Sequence, residues 1–157
     1  MAARNVLIDQ NRTLKISDFG LSRRGIYVNT KRRKVPLRWL SIEAMRDHLY
    51  SSRSDVWAFG VVLWEIGTLG GFPYPTVADG DLLNYLLHGK RLEKPQNCTN
   101  ELYELMMRCW SLEAEDRPTF AETCSLLEAS LEHRQVYVDF ANLVSAASDD
   151  LPPVQQS

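Results

Sequence analysis

The sequence is short of cysteine in any useful arrangement. It has three, Cys98, Cys109 and Cys124, an odd number with no C-x-x-C spacing. That argues against a disulfide framework and a zinc site, and fits a reducing compartment. Long apolar runs are missing as well. The longest, Val56 to Trp64, is nine residues and stops at Glu65, too short to cross a bilayer. No basic segment followed by an apolar core opens the sequence, so no signal peptide is expected and these residues are expected in the cytosol. Glycine and proline are not in excess, eight and seven among 157 residues, which speaks against fibrous and low-complexity chains. A net charge of -2 gives no electrostatic argument for nucleic acid or anionic lipid as a partner. There is no internal repeat.

What is present is the material of one ordinary domain. The chain is 45% hydrophobic and 24% charged, and a chain of this size buries about 70% of its unfolded surface. Its charge is uneven. Arg23, Arg24, Lys31, Arg32, Arg33 and Lys34 share one short stretch, and Asp149-Asp150 lies in the tail; blocks of this kind are ordinarily solvated loops.

Asn5 to Asp9 and Thr13 to Ser17 are short aliphatic runs joined by Gln10-Asn11-Arg12, which predicts a tight hairpin. Residues Gly20 to Trp39 show no sustained period and predict a long functional or mobile loop. Ser51 to Leu69 is the strongest helix, with Ser52 and Asp55 in a capping pattern and apolar residues on every face. Such a helix is buried all round and should form the central post. Gly70, Gly71, Pro73 and Pro75 mark a loop. Further helices are expected from Asp79 to His88, from Asn100 to Trp110 and from Thr119 to about Arg134. The closing "SAASDDLPPVQQS" is expected to be disordered. The fold class expected is mainly α, a small β-ribbon leaning on a helical bundle.

If the hairpin turns between Asn11 and Arg12, Asn5 lies directly across from Asp18, on strands roughly 4.8 Å apart. An amide oxygen and a carboxylate would then converge at one end of the ribbon. Both are hard oxygen ligands suited to magnesium, which typically keeps phosphates and water as its other ligands. Gly20 would let the backbone turn sharply away. The plainer alternative is that Asp18 caps a turn and Asn5 begins a strand, and a slip of one residue would move the opposing position.

"AARN" followed thirteen residues on by "DFG" resembles the second half of the catalytic loop and the magnesium loop of a protein kinase. "VPLRWLSIEAM", "SDVWAFGVVLWEI", "GGFPYP", "LMMRCW" and "DRPTF" follow in that family's order. The resemblance covers roughly residues 1 to 135, with 136 to 157 as a tail. "AARN" is similar to the tyrosine-specific branch. "RWLSIEAM" and "LEHRQVYVDF" are similar to receptor types, the Tie receptors first, with fibroblast growth factor and Torso receptors more distant. The fold implied is the helical C-terminal lobe of a kinase.

The resemblance implies roles residue by residue. Asn5 and Asp18 would hold magnesium on the ATP phosphates. Arg4 would lie near the incoming tyrosine hydroxyl, or is a surface arginine. Pro36, Leu37, Arg38 and Trp39 would form the shelf under the substrate peptide, although Trp39 alone reads more readily as a core anchor than as a substrate contact. Tyr27 is the candidate phosphosite, its phosphate answering the nearby basic cluster; its plainer reading is a loop tyrosine. Glu43 and Arg117 would form a buried ion pair, with Ile42 standing where the family has proline. Asp55 would close a capping box with Ser52 and also support the catalytic loop from below. ATP and Mg²⁺ are implied for the complete domain. Implied partners are protein tyrosine substrates and SH2-type proteins at phosphotyrosines, Tyr137 included, but no nucleic acid. The implied parent is a dimerising, single-pass plasma-membrane receptor with this part on the cytoplasmic side.

The family's catalytic loop reads His-Arg-Asp-Leu-Ala-Ala-Arg-Asn, and Met1 falls at the leucine. The catalytic aspartate is therefore not among these residues, nor is any G-x-G-x-x-G. A polypeptide of these residues alone is expected to be inactive, since the base by itself is worth roughly 10²–10⁴ in rate. The apolar flank of its central helix is expected to be exposed. The competing readings are a catalytically dead binding or decoy module and a truncated gene model.

Overall fold

The computed structural model describes residues 1–19, 25–28 and 36–132. Gly20, the basic residues Arg23, Arg24 and Lys31 to Lys34, the expected boundary at 135, Tyr137 and the tail lie outside the described residues. The architecture is mainly α, as the sequence implies.

After a 3₁₀ turn at Ala3–Asn5, β1 (Val6–Ile8) pairs antiparallel with β2 (Leu14–Ile16). The register is Val6↔Ile16, Leu7↔Lys15 and Ile8↔Leu14, one residue away from the register expected. The loop is the cause. Arg12 N–H donates to the Asp9 carbonyl at 3.0 Å, and Asp9 Oδ1 accepts from the amides of Asn11 and Thr13, each at 2.9 Å. Arg12 then takes a left-handed φ of 61°. A tight turn followed by one left-handed residue makes a three-residue hairpin loop, which centres the ribbon on Asn11.

The stretch expected to be one long loop contains structure. Tyr27–Val28 forms β3, which pairs with β4 (Leu49–Tyr50), and Leu37–Trp39 is a 3₁₀ turn. Between them and β4 lies the short helix α1 (Ile42–Arg46).

The central helix α2 spans Ser52–Gly67. Its cap is Ser51, not Ser52: Ser51 Oγ accepts the amides of Arg53 and Ser54, while Ser54 Oγ accepts the Ser51 amide at 2.8 Å. The expected Ser52–Asp55 box is thus displaced by one residue. Pairing of β4 holds the chain extended up to Ser51 (φ -151°, ψ 176°), and a helix takes its cap from the last extended residue.

Val56, Trp57, Ala58, Val61, Val62 and Leu63 are buried, so apart from Ile66, 46% exposed, the flank of α2 is not the exposed apolar surface expected from the sequence. That surface lies on the first ribbon instead, where Leu7, Ile8, Leu14 and Ile16 are 54–68% exposed. Two three-residue strands have no interior of their own, and no described element covers them.

Helix α3 (Leu82–Leu87) starts later than expected, because the Asp79 carboxylate is taken by Arg38 at 2.7 Å. Helix α4 (Asn100–Cys109), capped by Thr99, packs on α2. Gly60 makes that approach feasible: a Cβ there would lie 2.7 Å from Trp110 Nε1 and 2.8 Å from Cys109 Cβ. Helix α5 (Phe120–Glu132) starts with reciprocal bonds between Thr119 and Glu122, a capping box the sequence reading passed over. Trp57, Trp110, Leu82, Leu86 and Met106 fill the core between these helices.

Candidate active site

An open cleft of about 930 Å³ runs between the first ribbon, the second ribbon and the start of α2. Asn5 and Asp18 both line it. They are not cross-strand partners. The observed register carries Ser17 to that position, with its amide donating to the Asn5 carbonyl at 2.8 Å and its hydroxyl to the same oxygen at 3.1 Å. Asp18 follows in the left-handed region, φ 61°, a conformation that aspartate tolerates better than most residues. Asn5 and Asp18 therefore reach the same cleft without the geometry expected of them.

An amide and a carboxylate lining one cleft fit magnesium, which takes hard oxygens and completes its shell with phosphates and water. Among the described residues no group of three His, Cys, Asp or Glu forms an all-protein metal cage.

Pro36 and Trp39 line the same cleft. Trp39 is buried, its indole N–H donating to Glu65 Oε2 at 2.9 Å, and the Arg4 guanidinium lies over its ring at 4.7 Å. Arg38 faces away into the loop after α2. It donates to the carbonyls of Pro73 (3.0 Å), Tyr74 and Val77 (2.9 Å) and to Asp79, with its guanidinium 4.8 Å above the Phe72 ring. Arg38 is thus an anchor that ties the Leu37–Trp39 turn to that loop, and it does not line the cleft.

Tyr27 lines the cleft from β3 and stacks on Tyr50, with centroids 5.1 Å apart and rings inclined by 12°. Asp55 also lines it, and burial pushes its carboxyl up against the opposing pull of the Met1 amino group. The other carboxylate of α2 holds the Ala3–Asn5 turn: Ala3 N–H donates to Glu65 Oε2 at 2.8 Å. Glu65 was missed in the sequence, although a carboxylate closing a nine-residue apolar run on a buried helix is a visible signal.

Glu43 and Arg117 form the expected pair, 2.6 Å between Oε1 and Nη1. Burial pushes the Glu43 carboxyl up, but the hydrogen bonds and charge of Arg117 outweigh it, and its pKa lies below the usual glutamate value.

The model of the protein tyrosine and serine/threonine kinase family matches residues 1–127. The chain belongs to that family. Among curated relatives, it is 46% identical over 136 residues to the tyrosine-protein kinase transforming protein RYK of avian retrovirus RPL30, covering 84% of this chain and 31% of the relative. It is 49% identical over 126 residues to the tyrosine-protein kinase receptor torso of Drosophila melanogaster, covering 77% and 14%. To fibroblast growth factor receptor 1 of Xenopus laevis it is 42% identical over 163 aligned positions, covering 100% and 20%. This kinase chain thus spans less than a third of the length of these relatives. No helix among the described residues is long and apolar enough to cross a membrane.

Proposed function

We propose that these residues are the helical-lobe part of a receptor-type protein tyrosine kinase, which transfers the γ-phosphate of ATP to tyrosine in protein substrates. The observation that carries this reading is the single cleft that joins Asn5 and Asp18 to Arg4 and Trp39. Asn5 and Asp18 would hold Mg²⁺, which when bound neutralises charge on the phosphates. Arg4, stacked on Trp39, would stand beside the tyrosine hydroxyl. The turn at Leu37–Trp39 would carry the peptide, its position set by Arg38 on the following loop. Positioning supplies most of the catalysis in phosphoryl transfer, so the rigidity of these supports matters.

On the same reading, the parent dimerises at a membrane with these residues on the cytoplasmic side, and SH2-type proteins dock on its phosphotyrosines. The receptor names of the torso and fibroblast growth factor relatives support this. A polypeptide of only these residues is read as non-catalytic.

The test is transfer from ATP with Mg²⁺ to tyrosine and serine peptides by the complete natural protein. Phosphotyrosine is the expected product, with Asp18→Asn lowering the rate by roughly 10²-fold or more, as expected when transition-state charge loses a main stabiliser. No transfer to tyrosine, or an unchanged rate in the variant, refutes the reading.

A further inference from the structure

Glu65 lies near the end of α2 and is 7% exposed. One of its oxygens, Oε2, receives two donors from distant parts of the chain. Ala3 N–H arrives from 62 residues away at 2.8 Å, and the Trp39 indole N–H from 26 residues away at 2.9 Å. The first belongs to the turn that carries Arg4 and Asn5, the second to the turn that carries the peptide shelf. Among the described residues the carboxylate joins no ion pair.

A buried carboxylate without an ionic partner is a costly way to fill space. An apolar side chain would suit α2 better if packing were its purpose. What a carboxylate supplies is an acceptor with several lone pairs, able to take two N–H groups at once. It is mounted on the most deeply buried helix, where a supporting group is held most firmly. Through Trp39 the bridge also reaches Arg4, whose guanidinium rests on the indole ring.

We propose that Glu65 is a positioning residue: a two-armed acceptor that fixes the spacing between the Arg4–Asn5 turn and the substrate shelf, and so the placing of the tyrosine hydroxyl relative to the phosphate. This rests on the kinase reading above. Removing Glu65 disturbs peptide phosphorylation selectively. Hydrolysis of ATP, with water as acceptor, depends on the Asn5 turn but makes no use of the shelf, and so falls by less.

The experiment compares Glu65→Ala, Glu65→Gln and Trp39→Phe in the complete natural protein. Readouts are kcat/KM for a tyrosine peptide, the rate of ATP hydrolysis without peptide, and hydrogen-exchange protection of the Ala3 amide and Trp39 indole. Glu65→Ala is expected to lower peptide kcat/KM by roughly 10- to 100-fold, the scale of a small misplacement of reacting groups, and hydrolysis by a clearly smaller factor. Glu65→Gln keeps an oxygen for both donors and restores most of the loss. Trp39→Phe cuts one arm and gives part of it; this variant decides the matter if Glu65→Ala fails to fold. An equal fold-loss in both activities, or no loss in peptide transfer, overturns the proposal. If the wild-type protein transfers nothing to tyrosine, the function proposed above is refuted. The exchange rates then decide the bridge: protection lost at both sites in Glu65→Ala upholds it, and protection kept overturns it.

Discussion

Arg117 grips Glu43 with two parallel hydrogen bonds across 74 residues of chain, Nη1 to Oε1 at 2.6 Å and Nη2 to Oε2 at 2.8 Å. Its other N–H groups donate to the carbonyls of Ser111, Arg53 and Leu112, so all five are satisfied, and the Trp57 ring lies 5.0 Å away. A guanidinium with no exposed surface needs that full set. Arg117→Leu strands the Glu43 carboxylate and should cost about 3–5 kcal/mol in urea denaturation. Replacing both residues by leucine should recover much of the loss. A double variant worse than the single one would contradict this account.

The same pair sets an acid limit. The folded pKa of Glu43 is depressed below the ordinary value of 4.5, after burial alone would have raised it. A depressed carboxyl contributes stability that is fully present above the unfolded pKa and is lost as pH falls through the folded one. Stability followed from pH 7 downward should therefore begin to fall near 4.5 and continue below it. The fall should be shallower in Glu43→Gln, in which nothing at that position titrates.

Two adjacent serines separate the observed cap from the expected one. Ser51→Ala removes the acceptor for the amides of Arg53 and Ser54 and should lower stability by about 1 kcal/mol. Ser52 is exposed, and Ser52→Ala should stay within about 0.5 kcal/mol of wild type. The reverse order in thermal unfolding would restore the Ser52 assignment.

On the proposed function, Tyr27 is the residue whose modification controls activity. It stacks on Tyr50 across a two-residue ribbon, and a phosphate would bring about two negative charges to that contact. Mass spectrometry of the active complete protein should find Tyr27 phosphorylated. Tyr27→Phe keeps the ring stack and should slow autoactivation in a time course of peptide phosphorylation. An active protein with Tyr27 unmodified would remove this role.

The motifs made the helical architecture legible, because α2, α4 and α5 carry apolar faces, stops and caps that any reading of helices uses. The Glu43–Arg117 pair was legible only through resemblance, since nothing local in either segment announces a partner 74 residues away. The hairpin register was not legible. It turns on Arg12 entering the left-handed region, where glycine or asparagine would have given a signal and arginine gives none. The cap of α2 was misplaced because "SSRSD" contains two overlapping capping patterns, and only the pairing of β4 chooses between them. The start of α3 depended on Arg38, a tertiary contact that claims Asp79 before the helix can use it.

Arg38 meets the loop after α2 mostly through main-chain oxygens, those of Pro73, Tyr74 and Val77. Exposed side chains of that loop, those of Pro75, Thr76 and Ala78, can be exchanged one by one without erasing these grips, while an inserted or deleted residue shifts them. The loop is thereby bound in length throughout and free to drift in composition only where it faces solvent, so its outer rim can be retouched without loosening the turn that Arg38 holds.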